Sequence, residues 1–396
     1  MDKINFFPDN LDVQNKTIIL RLDLNVPLKD KVIKDYTRID LCLPFIKRLI
    51  EKKAKIIIIS HLGRPKKNKD PALSLMPIYK YIKKILQTNI YFFMGNFDDK
   101  VKDKFSHLKE GEVILIENIR YFKEETDDDE NFSQKLGSLG DIYINDAFSC
   151  SHRKQASIHK ITRYINKSYA GPLLKKEIDA INLVIEKKRE PVTCIIGGSK
   201  ISTKINVITS LLEKINNLII VGAMANNFLV YKNFKVGKSI VENNTKEIVE
   251  KIYKKAAENN CEIMIPRDCK VGTKFDGEGK IKNFDKIHDN EIILDIGTNT
   301  ISKIKEKIDQ SNTVLWNGPA GYFENENFSH GTMSIAESIS RNTFEGSLIS
   351  VLGGGDTIAA INKSKTRLSF SHLSTAGGAF LEYLEGKDLP GLSVLK

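Results

Sequence analysis

The chain has 396 residues, 41% hydrophobic and 28% charged, with 61 Lys+Arg against 50 Asp+Glu for a formal net charge of +11. A single core rarely grows past about 250–300 residues, so two domains are expected, and the apolar content excludes a disordered chain. The basic balance invites a nucleic-acid reading, but the lysines are scattered along helix faces and not interleaved with aromatics, so no nucleic-acid partner is expected.

Short Ile/Val/Leu runs recur along the chain, each ending abruptly in polar or Gly residues. In the first half they are Thr17–Leu24, Lys55–Ile59, Ile90–Met94, Val113–Ile116 and Ile142–Ile144. In the second half they are Val192–Ile196, Leu218–Val221, Glu262–Ile265, Glu291–Leu294, Thr313–Trp316 and Leu348–Leu352. Most are continuous rather than alternating, the pattern of a strand buried on both faces. Between them lie stretches with helical spacing, such as Leu41–Leu49, Pro77–Leu86, Ile201–Ile215 and Thr245–Ala257. Strands alternating with helices predict parallel sheets covered on both sides. The fold class is therefore α/β, with two doubly wound domains joined by a linking helix in Gly171–Lys188. The acidic run Asp127–Glu130 reads as a solvated loop or a helix start. The five cysteines form no CxxC pair, which argues against a zinc ribbon or disulfide framework and fits a reducing compartment. No run reaches the ~20 apolar residues of a membrane span. The opening MDKINFFPDNLDVQNK places acids and a Pro where a signal peptide would be apolar. A cytoplasmic protein with no membrane partner is expected.

In open α/β sheets, ligands bind beyond the carboxyl ends of the strands. In the first half those positions carry Arg21, Asp23 and Asn25, then His61-Leu62-Gly63-Arg64, Glu117-Asn118-Ile119-Arg120, Asn145-Asp146 and His152-Arg153, with Arg38 opening a helical segment. Guanidinium groups grip phosphate and carboxylate oxygens in bidentate geometry that Lys cannot imitate. Any one of these residues alone is more often an ordinary surface or turn residue. Their joint placement after successive strands points to an arginine basin for a small anion.

The second half offers glycine turns. Gly197-Gly198-Ser199-Lys200 follows one strand, and Lys200 and Lys204, four apart, are expected on one helical face. Asn317-Gly318-Pro319 with Glu324, Gly353-Gly354-Gly355-Asp356-Thr357 and Gly377-Gly378 follow others. Glycines let a backbone approach phosphates, and a carboxylate beside such a turn suits Mg²⁺. Neither a Walker A loop nor a G-x-G-x-x-G dinucleotide fingerprint is present, which argues against a nicotinamide dehydrogenase.

The strings RLDLNVP (21–27), SHLGRP (60–65), ENIRYF (117–122), NDAF (145–148), GGSKISTK (197–204), WNGPAGYFE (316–324), GGGDT (353–357) and STAGGAFLEYLEG (374–386) resemble the phosphoglycerate kinase family, in that family's order and over nearly the whole chain. The resemblance implies two Rossmann-like domains facing each other across a cleft: residues 1–170 for the triose, 171–189 as the joining helix, 190–379 for the nucleotide, and 380–396 returning to the first. It implies reversible phosphoryl transfer between 1,3-bisphosphoglycerate and MgADP, in line and with hinge closure, by a cytoplasmic monomer. By motif it assigns Asp23, Asn25, Arg38, His61, Leu62, Gly63, Arg64, Arg120 and Arg153 to 3-phosphoglycerate or 1,3-bisphosphoglycerate. It assigns Lys200, Lys204, Gly222, Gly297, Asn317, Glu324, Gly353, Gly354, Gly355, Asp356 and Thr357 to ATP or ADP, with Asp356 on Mg²⁺. Arg38, Lys200, Gly355, Gly377 and Gly378 would act on the transferred phosphoryl. Four positions depart from the family pattern: Ala376 and Ala223 where glycines are usual, Thr298 for Pro, and Gln155 for His. A catalytically silent descendant is the remaining alternative, although every charged site position is intact.

Overall fold

The computed structural model describes residues 4–66, 69–98, 100–364 and 366–396. The chain divides into two compact units, one running to Ile178 and taking back Asp388–Lys396, the other Asp179–Lys387.

The first unit is built on β1 (Thr17–Arg21), β2 (Leu28–Lys29), β3 (Val32–Ile33), β4 (Lys55–Ile59), β5 (Ile90–Phe93), β6 (Val113–Ile116), β7 (Ile142–Asn145) and β8 (Lys167–Ala170). Six of these form a sheet in the order β5-β6-β4-β1-β7-β8, all pairs parallel, while β2 and β3 make a small hairpin. Ile18 faces Ile56 and Ile142 across the ladder, and Ile56 faces Val113. Continuous Ile runs suit this sheet because helices cover both faces, so neither side of a strand can be polar. The helix Met76–Leu86 shows the usual punctuation, with Pro77 in its first turn and Gln87 closing it in the left-handed region at φ 51°. Asp129 in the acidic run caps the helix Glu130–Gly137, its carboxylate accepting the Phe132 N–H at 2.8 Å.

The second unit contains β9 (Val192–Ile196), β10 (Asn217–Ile220), β11 (Glu262–Met264), β12 (Asp268–Gly272), β13 (Lys280–Asn283), β14 (Ile292–Ile296), β15 (Thr313–Asn317), β16 (Ile349–Gly353) and β17 (His372–Ser374). The main sheet is parallel in the order β11-β10-β9-β15-β16-β17, and β13-β12-β14 form a separate antiparallel sheet. That small sheet corrects the sequence reading, which had placed the Glu291 run in a parallel sheet.

Both main sheets have a switch point, where the chain leaves a central strand on one side and later returns on the other. In the first unit it lies between β1 and β7, in the second between β9 and β15. Crevices at such points are where doubly wound folds bind ligands.

The unit boundaries differ from those read in the sequence. The first boundary falls inside the helix Pro172–Ile185, and the returning segment starts at Asp388 rather than near residue 380. The helix Gly378–Leu384 stays with the second unit because Phe380 lies against Gly353 and the Ser210 hydroxyl donates to the Leu384 and Glu385 carbonyls, each at 3.3 Å. The final segment is stitched to the first unit by Asn5 N–H to the Leu395 carbonyl (2.7 Å), Gly391 N–H to the Ser151 carbonyl (2.8 Å) and Asn145 Nδ2 to the Gly391 carbonyl (3.2 Å). No described helix is long and apolar enough to cross a membrane, and all five cysteines are free and buried.

Candidate active site

At the switch point of the first sheet, Asp23 pairs with Arg38 at 2.8 Å and accepts a hydrogen bond from the Ser149 hydroxyl. Arg38 also donates to the Asn25 carbonyl at 2.9 Å. Asn25 Oδ1 in turn accepts the Gly63 N–H at 2.9 Å, and the Gly63 carbonyl accepts from Arg120 at 2.8 Å. Residues following four strand ends are thus tied into one chain. Asn118 locks the turn from the other side, accepting from Leu62 N–H (3.2 Å) and Arg120 N–H (3.1 Å) and donating to the Leu62 carbonyl (2.7 Å).

Arg64, Arg120 and Arg153 line a single open pocket of about 1010 Å³ in this unit. Burial lowers the Arg120 guanidinium to about 10, and its Nε finds no partner among the described residues. Burial also holds His61 well below its ordinary value, reinforced by Arg21, Arg120, Arg153 and Arg38 in that order. The imidazole is therefore neutral at physiological pH. Arg21 can only donate, and its Nη2 lies 3.3 Å from His61 Nδ1, so Nδ1 accepts and Nε2 carries the hydrogen. Asp23, His61 and Cys150 also offer three potential metal donors within 4.8 Å of one another. The four guanidiniums acting on His61 oppose a cation there, and the site is suited to an anion.

In the second unit, Lys204 spans the switch point. Its ammonium donates to the Gly197 carbonyl (2.6 Å) after β9 and to Asn317 Oδ1 (2.7 Å) at the end of β15. Burial pushes it down to about 8. Asn317 Nδ2 reaches the Gly353 carbonyl at 2.8 Å, and Thr357 accepts the Gly318 N–H at 2.7 Å while donating to the Gly353 carbonyl at 2.9 Å. Three strand ends are again locked together. Beside them lies a cavity of about 290 Å³ whose wall includes Gly198, Gly222, Ala223, Glu324 and Asp356, with an apolar side from Leu229, Phe284 and Ile293. Gly222 has to be glycine: its φ is +68°, and a Cβ would sit 2.8 Å from the Gly198 nitrogen and 2.9 Å from the Pro319 carbonyl oxygen.

Several assigned residues are placed differently from the sequence reading. Lys200 is not on a helix with Lys204, because the helix runs only over Ile205–Leu211 and Lys204 is its N-cap. The Glu242 carboxylate takes the Ser202 N–H (3.1 Å) and hydroxyl (2.5 Å), which holds 201–204 as an anchored turn. Lys200 itself is exposed and is not part of the cavity wall. Gly297 also lies outside that wall. A Cβ there would come within 2.3 Å of the Asp268 carboxylate, which accepts from Asn299 N–H and Thr300 N–H, so a packing need accounts for this glycine. Gly354 precedes the helix Gly355–Ile361, leaving Gly355 and Asp356 exposed in its first turn. Gly377 precedes the helix Gly378–Leu384 after β17. Ala376 is buried, its N–H bonded to Ser374 Oγ at 3.2 Å, and the positive φ falls on Gly377. Gln155 accepts from Arg120 at 3.3 Å, keeping a polar partner for that guanidinium in place of His.

Sequence reasoning missed the support behind His61. Arg21, fully buried, donates to Ser157 Oγ at 2.9 Å, and Ser157 donates its N–H and hydroxyl to Glu125 at 2.8 and 2.7 Å. Glu125 lies far from any strand end in sequence, so no motif marks it.

Fold and site together define an α/β enzyme of the phosphate-handling class, with an arginine pocket in one unit and a lysine-anchored glycine cavity in the other. The phosphoglycerate kinase family model matches residues 8–387. A phosphoglycerate kinase of Wolbachia pipientis wMel is 44% identical over 390 residues, covering 98% of both chains, and that of Dictyoglomus turgidum is 42% identical over 387 residues, covering 97% of this chain and 96% of its own. The solved phosphoglycerate kinase of Coxiella burnetii matches with a TM-score of 0.88 at 38% identity, over 98% of this chain and 97% of that one. The chain belongs to the phosphoglycerate kinase family.

Proposed function

We infer that the chain carries its family's activity in glycolysis, reversible transfer of the C1 acyl phosphate of 1,3-bisphosphoglycerate to MgADP, giving 3-phosphoglycerate and MgATP. The observation that carries this reading is the separation of chemistry between units. One unit gathers Arg64, Arg120 and Arg153 around an anion pocket, and the other encloses a half-apolar cavity beside Lys204 and three glycine turns. The guanidiniums would hold the triose phosphate and carboxylate in bidentate fashion. Asp23 fixes the Arg38 head, and neutral His61 offers an Nε2–H donor without adding charge. The apolar wall suits an adenine ring, and Glu324 on the rim suits the ribose hydroxyls.

Asp356 fits the Mg²⁺ that the family uses. It is an exposed carboxylate on the cavity wall with no ion pair among the described residues, and Mg²⁺ takes one or two carboxylates with substrate phosphates and water. When bound with the nucleotide, the ion neutralises phosphate charge. Attacking and leaving oxygens are both oxyanions, so no general base is needed, and the residues contribute alignment and charge neutralisation. Arg38, Lys200 and the N–H groups near Gly355, Gly377 and Gly378 are assigned to the moving phosphoryl. Direct transfer requires the two half-sites to meet over that group.

A coupled assay with 3-phosphoglycerate, MgATP and an NADH-linked dehydrogenase tests the reading, and absence of NADH oxidation would refute it. Arg64→Ala is expected to weaken 3-phosphoglycerate binding about tenfold while MgADP binding barely changes in a separate titration; equal loss of both would contradict the division of labour. The Lys204 value of about 8 gives a pH dependence with a definite sign. Its positive charge favours the nucleotide phosphates and disappears as pH rises through about 8. MgADP affinity measured calorimetrically should therefore fall between pH 7 and 9 (about one pH unit either side of that value), and the fall should vanish in Lys204→Met.

A further inference from the structure

The first unit contains a second cavity, of about 500 Å³, at the carboxyl ends of β5 and β6. It has no place in the kinase reading above. Its wall is mainly apolar, formed by Leu28, Met76, Phe93, Met94 and Ile116. Met94 is 61% exposed at the mouth, where its flexible, polarisable thioether can pack on a ligand. Three lysines, Lys31, Lys69 and Lys80, complete the lining from three separate segments, and all three are exposed. None of them forms an ion pair among the described residues. Glu117 is the one carboxylate among the described lining residues, and it is already satisfied by the Ser74 hydroxyl and by the Leu75 and Asn118 N–H groups.

We propose that this cavity is a second ligand site, for a small amphipathic carboxylate whose aliphatic body lies on the methionine and phenylalanine wall and whose head meets the three lysines. The volume is that of a small-molecule site, and the combination of apolar walls with a few convergent polar groups is what such sites share. The site also lies where doubly wound sheets bind ligands, beyond strand carboxyl ends. Three unpaired ammoniums around an apolar hollow select an anionic head over a neutral one. An acyl chain against Phe93 and Met94 recovers the exposed apolar area that water now covers. Lys69, Tyr121 and Phe122 line this cavity and the arginine pocket alike, so the two sites are neighbours that share a wall.

Decanoate titrated into the full chain by calorimetry tests this, with saturating MgADP present to fill the nucleotide cavity. Saturable binding of one decanoate is expected, retained when 3-phosphoglycerate is added. Met94→Asp and Lys80→Glu, both at exposed positions, should each weaken it about tenfold, and decanol should bind about tenfold more weakly than decanoate. No saturable binding would overturn the proposal. So would one-for-one displacement by 3-phosphoglycerate, or binding indifferent to Met94→Asp. Loss in Met94→Asp with no effect of Lys80→Glu and no preference over decanol would overturn the assignment to an anion.

Discussion

Replacing Lys200 by Ala is expected to lower kcat by about 10³-fold while leaving MgADP affinity within a few-fold. Lys200 stands between Gly197-Gly198-Ser199 and the anchored turn, exposed and outside the wall of the glycine-lined cavity. Its removal therefore deletes little of what holds the nucleotide in the ground state. On the proposed mechanism, what it deletes is a positive charge beside the glycine turn that would meet negative charge only while the phosphoryl is in transit. An interaction made in the transition state alone changes kcat and spares binding. Lys204 contrasts with it. Its ammonium is already committed to the Gly197 carbonyl and Asn317, so Lys204→Met should damage binding and the local turn together. Steady-state kinetics with a parallel calorimetric titration separate the two lysines. An unchanged kcat in Lys200→Ala would remove it from the chemistry, and a matching loss of affinity would make it a nucleotide-binding residue instead.

The fold was legible where burial dictates composition. Lys55–Ile59, Val113–Ile116 and Val192–Ile196 are strands with the bounds the apolar runs indicate, because a central parallel strand has no face to spare for polar residues. The edge strands Lys167–Ala170 and His372–Ser374 escaped notice, since an edge needs less apolar surface, and both are short and mixed. The antiparallel sheet was hidden for a related reason: Lys280–Asn283 is mostly exposed and carries two lysines in four residues. The helix after β9 starts at Ile205 rather than Ile201 because Glu242, 40 residues away, captures the Ser202 donors. Periodicity cannot register a partner so remote in sequence. The site follows the same division. Positions after strand ends pointed to Asp23, Arg64, Arg120, Asn317 and Asp356, because the parallel sheet delivers its strand ends to one edge. The connections among them, such as Asp23 with Arg38 and Asn25 with Gly63, come from tertiary geometry alone.

The buried support of the arginine pocket leads to a second large effect. Glu125→Ala should destabilise the first unit by about 3–5 kcal/mol and weaken 3-phosphoglycerate binding about tenfold, with MgADP binding unchanged. Arg21 and Glu125 have no exposed surface, and Ser157 stands between them, accepting from Arg21 Nε and donating twice to the carboxylate. Removing the carboxylate leaves a buried guanidinium without a counter-charge and Ser157 without acceptors. Arg21 also sets the donor direction of His61, so the disturbance reaches the pocket. Burial pushes the Glu125 carboxyl up, against Arg21 and the Ser157 donors that pull it down. Glu125→Gln separates the two influences, since it keeps an acceptor for Ser157 and discards the charge. The amide keeps an acceptor for only one of the two Ser157 donors, so the Gln variant should lie midway between wild type and Ala if the hydrogen bonds dominate, and should fall close to Ala if the negative charge dominates. Two units need not unfold together, so the stability change is best read from hydrogen exchange at β1 and β7 amides instead of a single melting midpoint. Ala at 125 with wild-type exchange and wild-type 3-phosphoglycerate affinity would show that this buried chain supports nothing in the pocket.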